Sequence, residues 1–225
     1  MKNYRNLLLL MLMTFTLTGC WTYKPQLADV PLIDHKGDIR LSGSVYLFPA
    51  TGITTTASMG LTNHLSMQLH GDYESRDVFY SHVALGFYHS YNNSVLEGYL
   101  GLGHGHGDVY IDAAPSNAHG PYTIGFAQMN YGWHLTKHSD IGLAMKIGRM
   151  SAIFYGHNGE DPNDDDEAFG PRKSTLFEPQ MFFRVGGEKV KFQLQLGYTY
   201  LTDWRRYGSI RYIPLSFSTG INITL

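Results

Sequence analysis

Eleven histidines, sixteen tyrosines and a single cysteine are the residues of this chain with the most obvious chemistry. The densest arrangement is Gly101-Leu102-Gly103-His104-Gly105-His106-Gly107-Asp108. As a phosphate loop it lacks the third required glycine and the helix that should follow. As a metal site it offers His104, His106 and Asp108, with His119 further on. Residues i and i+2 on a strand share a face, so both imidazoles can address one ion. The plainer reading is a glycine-rich strand end running into an exposed loop. A second cluster is the acidic run from Glu160 to Glu167. Asp161, Asn163 and Asp165 match the first three alternating ligands of a calcium loop. Asp166 stands where glycine is required, however, and Arg172 where the closing glutamate belongs. Loose divalent-cation binding or a solvated loop remain as readings. For acid–base chemistry, Ser81 and His82 are adjacent but fall on opposite faces of a strand. His70, His82, Glu97 and Tyr99 can meet on one side of a sheet. A network of mutually satisfied polar groups accounts for them equally well. We therefore expect no catalytic residue, no resident metal and no cofactor.

The cysteine is Cys20, and it closes the sequence Leu17-Thr18-Gly19-Cys20. Lys2 and Arg5 precede an apolar run, Leu7 to Leu17, which is too short to span a membrane as a mature helix. This ending resembles a bacterial lipobox. The resemblance implies cleavage before Cys20 and attachment of lipid, palmitate included, to its sulfur. Residues 1–19 would then be a lipoprotein signal peptide. Trp21 follows the cysteine, so the aspartate that retains lipoproteins in the inner membrane is absent, as is any acidic export signal. Residues 20–37 read as a lipidated tether: Pro25 and Pro31 interrupt them and no period is sustained.

From Asp38 to Leu225 the apolar residues recur with period two, the spacing of β-strands. Leu65, Met67 and Leu69 alternate with Ser66, Gln68 and His70. Val83, Leu85 and Phe87 alternate with His82, Ala84 and Gly86. Val190, Phe192, Leu194, Leu196 and Tyr198 alternate with Lys191, Gln193, Gln195 and Gly197. Counted along the chain this gives about ten strands (eight if the first two form one bent pair) and no helix. The connections alternate too. Thr62-Asn63-His64, Asn92-Asn93, Thr136-Lys137-His138 and Gly187-Glu188 are short. The runs 107–118, 156–173 and 203–208 are longer. Short periplasmic turns and long outer loops are the habit of outer-membrane barrels. The parity places the N-terminus and Leu225 on the periplasmic side.

The fold class expected is thus all-β: an antiparallel up-and-down barrel of the outer-membrane type over residues 38–225. Period two alone does not say which face meets lipid. The set alternating with the apolar residues is mostly Ser, Thr, Gln, Gly and Tyr. It carries few charges: Arg40, Asp72, Glu97, Lys146, Glu178, Arg184 and Lys191. Bulk water would tolerate more, whereas a narrow lumen filled by side chains takes small neutral groups and paired charges. Gly86, Gly101, Gly103, Gly197 and Gly220 on that side relieve crowding. Tyr73, Phe79, Tyr88, Tyr91, Tyr131, Trp133, Tyr198, Tyr200, Trp204 and Tyr207 stand near strand ends, as interfacial girdles do. Such a barrel leaves no wide aqueous channel, so general porin activity is not expected. Loss of Lys2 and Arg5 makes the mature chain more acidic than the formal charge of −2 on the whole sequence, which argues against nucleic-acid binding.

Two turns repeat each other: Leu61-Thr62-Asn63-His64 and Leu135-Thr136-Lys137-His138 each read apolar-Thr-polar-His before a new alternating run. With the lipobox and the lead-in Tyr23-Lys24-Pro25, Val30-Pro31-Leu32 and Lys36-Gly37, the chain resembles the β-barrel lipoproteins of Bacteroidota-type outer membranes. Leu225 departs from the aromatic residue on which insertion signals usually end. The resemblance carries no catalytic residue across. It implies an outer-membrane lipoprotein whose partners are outer-membrane lipid and the barrel-assembly and lipoprotein-sorting machineries. An extracellular partner would be met through loops 107–118 and 156–173. The expected role is non-enzymatic: envelope structure, surface interaction or binding of a small ligand. Two alternatives stand beside it, a lipid-tethered soluble barrel of lipocalin type with an apolar ligand inside, and a lipid-modifying enzyme.

Overall fold

The computed structural model describes residues 27–48, 51–74, 78–110, 117–156, 167–202 and 214–225. The strands are β1 (Ile39–Phe48), β2 (Gly52–Gly60), β3 (Leu65–Glu74), β4 (Phe79–Tyr91), β5 (Ser94–Tyr110), β6 (Asn117–Thr136), β7 (Ser139–Gly156), β8 (Glu167–Gly186), β9 (Val190–Tyr198), β10 (Tyr200–Leu201) and β11 (Leu215–Thr224). β10 continues the wall of β9 beyond Thr199, so the walls number ten, as the sequence predicts. Each strand pairs antiparallel with its neighbour in sequence, β9 with both β8 and β11, and β1 with β11. The sheet therefore closes on itself. Closure is what a sheet in hydrocarbon requires, because acyl chains offer no partner to a backbone N–H or C=O.

The two faces divide as the period demands. Leu85, Leu100 and Leu102 are 63%, 70% and 72% exposed, and nearly every large apolar residue of the alternating set lies outward with them. The charged and amide residues between them are buried, Glu97, Arg184 and Gln68 almost completely. An apolar exterior around a polar interior inverts the usual soluble arrangement and is the pattern of a lipid-embedded barrel. The lipocalin-like alternative, with the apolar set lining a ligand cavity, is not the arrangement found.

Three details depart from expectation. First, β5 to β8 run to 17–20 residues, whereas β1, β2, β3 and β9 have 9 or 10. One side of the barrel is consequently tall. Strand pairing continues through Asp108↔His119 and Gly156↔Glu167, so both ends of the stretches expected as loops 107–118 and 156–173 are wall. At this end β7 is apolar on both faces, with Met150 and Ala152 inward and Ile153 and Tyr155 outward, so the alternation that marks a wall in sequence is lost. Second, Tyr88 is not part of an outward girdle. It is buried in the lumen and donates from its hydroxyl to the carbonyl of Thr62 at 2.6 Å. Tyr73, Phe79, Tyr91, Tyr131, Trp133, Tyr198 and Tyr200 do lie outward; Trp204 and Tyr207 fall outside the described residues. Third, residues from Leu27 to Ile33, read as part of a tether, are buried.

The repeated turns are built alike. Thr62 Oγ1 accepts the amides of His64 and Leu65 at 3.2 and 3.0 Å, and Thr136 Oγ1 accepts that of His138 at 3.0 Å. Each threonine hydroxyl satisfies amides that the tight turn leaves unpaired. Asn92, with φ of 52°, turns the two-residue hairpin between β4 and β5, a conformation asparagine tolerates better than most residues.

Candidate functional site: an occupied lumen

Around the barrel axis, the inward side chains of six walls converge on the segment Leu27–Ile33. The segment belongs to no strand and pairs with none among the described residues, so its backbone groups need partners from elsewhere. Glutamines supply most of them. Gln68 of β3 and Gln128 of β6 donate from Nε2 to the carbonyl of Asp29 at 3.3 and 3.1 Å. Gln180 of β8 and Gln195 of β9 donate to the carbonyl of Ala28. Arg184 Nη2 donates to the carbonyl of Val30 at 2.6 Å. The amide of Leu27 donates to the Tyr46 hydroxyl at 2.9 Å, and that of Ile33 to Glu97 Oε1 at 2.8 Å. Asn130 Nδ2 holds the other oxygen of Glu97 at 2.9 Å.

Apolar side chains of the segment have seats of their own. A Cβ on Gly132 would collide with the δ-methyls of Leu32, and one on Gly197 with a methyl of Leu27. Each glycine thus makes room for one leucine. Leu32 has φ of 57°, a left-handed conformation that costs a residue with a Cβ roughly 1–2 kcal/mol. It is completely buried, so the surrounding contacts enforce that backbone. Gly37, with φ of 89°, turns the segment into β1, and its amide donates to the carbonyl of Gly60 at 2.8 Å.

Lumen charges are paired, as low polarity demands. Lys146 faces Glu178 at 3.5 Å and Lys191 faces Asp140 at 2.9 Å. Two cations take partners from the segment: Arg184 reaches Asp29 at 3.4 Å and Arg40 reaches Asp34 at 3.2 Å. Asp34 lies at the short-turn end, beside His134 and Ser90. Burial pushes its carboxyl up. Hydrogen bonds from His134 and Ser90, with the charges of His134 and Arg40, more than offset this and hold it below the ordinary value of 3.8.

All seven charges expected in the lumen are there and buried. Asp29, Asp34 and Asp140 are the residues that sequence reasoning missed. The signal was available in the excess of inward cations and in the five inward glutamines, Gln68, Gln128, Gln180, Gln193 and Gln195. Toward the long-loop end, the lumen is lined by an apolar layer that includes Tyr80, Tyr122, Phe126 and Leu176. His70 and His82 stack there, ring centroids 4.7 Å apart, with His70 bonded to Thr56 and His82 to Gln68. Glu97 is bonded instead to the segment and Asn130, and the Tyr99 hydroxyl accepts from Ser66. Glu97 is thus bound to the segment, whereas His70, His82 and Tyr99 lie with the apolar layer.

His104 and His106 share a face of β5, as the i, i+2 spacing requires, and it faces outward beside Phe79. The His106 and His119 rings lie 5.8 Å apart. Asp108 is in the same strand, its side chain outside the described set. Among the described residues, the converging metal-type ligands are Asp34, His35 and Asp38. Asp38 Oδ2 there accepts the amides of Asp34 and His35, which makes the group a turn. Cys20 and the acidic residues 160–166 lie outside the described residues.

The barrel matches the crystal structure of the outer membrane protease OmpT from Escherichia coli with a TM-score of 0.57 at 9% identity, over 85% of this chain and 94% of that one. This chain has an outer-membrane-type β-barrel fold. At that identity the likeness speaks for the fold alone. Fainter likenesses run to a bacterial polysaccharide outer membrane secretin (TM-score 0.27, 11% identity, 86% of this chain and 99% of that) and to OprB of Pseudomonas putida (0.21, 9%, 79% and 59%). They are too remote to bear on this outer-membrane-type barrel. No protein-family model matches the sequence, and neither does any curated protein.

Proposed function

We propose that this protein is a non-conducting outer-membrane lipoprotein. Its barrel anchors it in the bilayer, its lumen is sealed by its own N-terminal segment, and its work is done at the surface by the long connections. The role is envelope or surface interaction, with lipid on Cys20 adding a second hold on the membrane. One observation carries the reading: Leu27–Ile33 occupies the axis and is bonded from six walls. A barrel of ten walls has little room beyond its own side chains, and here the remaining room is taken. The lipobox ending at Cys20 supports lipidation, and the outward apolar band supports a spanning barrel.

Single-channel recording in planar bilayers tests it. The purified barrel is expected to give no stable conductance step. A variant lacking residues 21–35 is expected to give small, regular steps. Steady current through the intact protein would overturn the sealed-lumen reading.

A further inference from the structure

The direction of the buried segment has a consequence for the side of the membrane on which the chain begins. Asp34 meets Arg40, the second residue of β1, whereas Leu27 meets Tyr46, the eighth of its ten residues. On β8, Val30 is bonded by Arg184, close to the strand's end at Gly186, and Ala28 by Gln180, further from it. On β9, Leu27 rests against Gly197, one residue short of the strand's end at Tyr198. Read from residue 34 back to residue 27, the segment climbs steadily from the short-turn end toward the long-loop end. It is an additional crossing of the barrel, made through the middle. An even number of walls brings β1 and Leu225 to the same side, and this extra crossing moves the start of the chain to the other.

We propose that the chain enters the barrel from the long-loop mouth, so that Cys20 lies on the cell-surface side and its lipid is seated in the outer leaflet. The proposal rests on the spanning reading above, with the short turns in the periplasm as in outer-membrane barrels generally. The seven residues from Cys20 to Gln26 reach at most about 25 Å when extended. From Tyr46, two residues short of the end of β1, that length suffices to pass over β1 and β2 to the surrounding lipid. The same length would at most retrace the climb from Asp34 to Leu27, through a lumen already filled, and leave nothing to reach lipid on the short-turn side. The proposal sets a cell-surface start in place of the periplasmic N-terminus expected from strand parity alone.

Cysteine labelling of whole cells tests this. Cys20 is retained, and one further cysteine is introduced as Thr22→Cys, or as Lys24→Cys should the first fail to fold. Asn163→Cys, between β7 and β8, and Glu188→Cys, in the turn before β9, serve as references. A membrane-impermeant maleimide is applied before and after outer-membrane permeabilisation, and only the heat-modifiable, folded band is scored. Thr22→Cys is expected to label on intact cells as fully as Asn163→Cys, with no gain on permeabilisation, while Glu188→Cys labels only afterward. If the references behave so but Thr22→Cys needs permeabilisation or denaturation, the proposed exit is wrong and the spanning reading stands. If Asn163→Cys is shielded on intact cells, or Glu188→Cys is open, the orientation itself fails and the proposal with it.

Discussion

Arg184 holds Val30 from across the lumen, donating to its carbonyl at 2.6 Å while its charge faces Asp29 at 3.4 Å. One guanidinium thus satisfies a backbone group and a carboxylate on a segment that has no strand partner. Arg184→Leu would leave Asp29 buried without its cation. Breaking a buried pair in this way costs about 3–5 kcal/mol. The temperature at which the folded band is lost in heat-modifiability gels should fall accordingly. Adding Asp29→Leu to Arg184→Leu should recover most of the loss, since two apolar residues can replace a buried pair at little cost.

Gly132 and Leu32 fit as seat and occupant. Gly132→Val would fill the seat and force the leucine away, an overpacking cost of about 1–3 kcal/mol. Limited proteolysis should then release an N-terminal fragment that the wild-type barrel protects. Leu32→Ala in the same chain should restore protection. If Gly132→Val resists proteolysis as the wild type does, the seat is not what retains the segment.

Acid should loosen the foot of the segment at Asp34. Because the folded state holds this carboxyl below 3.8, its stabilising effect is complete above that value and is lost as pH falls through the lower folded value. Thermal midpoints of the wild type and Asp34→Asn should therefore differ at neutral pH, with the wild type higher. The two should converge as pH is taken below 3.8. A gap independent of pH would mean that Asp34 acts by shape alone.

Cys20→Ala should remain in the membrane. The outward face, with Leu85, Leu100 and Leu102 more than 60% exposed, supplies the hold. Carbonate-washed membranes should retain the variant with unchanged heat-modifiability. Release into buffer would remove the spanning reading.

The wall was legible in the sequence because its signal is local. A residue such as Leu85 faces lipid since its neighbours Ala84 and Gly86 face in, and alternation records this directly. The turns at Thr62 and Thr136 were legible for the same reason. The segment at 27–33 was not. Its backbone is satisfied by Gln68, Gln128, Gln180 and Gln195, 39 to 167 positions away, and nothing periodic announces such partners. It has no face of its own, being enclosed on all sides. His104 and His106 share a face, as their spacing requires, and it is the outward face of Leu100 and Leu102, which parity within β5 already assigns.

The pairing of β1 with β11 unites the first strand with the last, from Arg40↔Thr224 to Phe48↔Phe217. Until the C-terminal strand is synthesised and docks there, the cylinder has a longitudinal gap. The glutamine-bound segment must be laid along the axis before that gap shuts. Afterward, Leu27 and Leu32 would have to be pulled lengthwise past their glycines. The occupant is therefore captured during biogenesis and not bound reversibly, and a synthetic peptide of residues 27–34 offered to a finished barrel lacking it should fail to take its place.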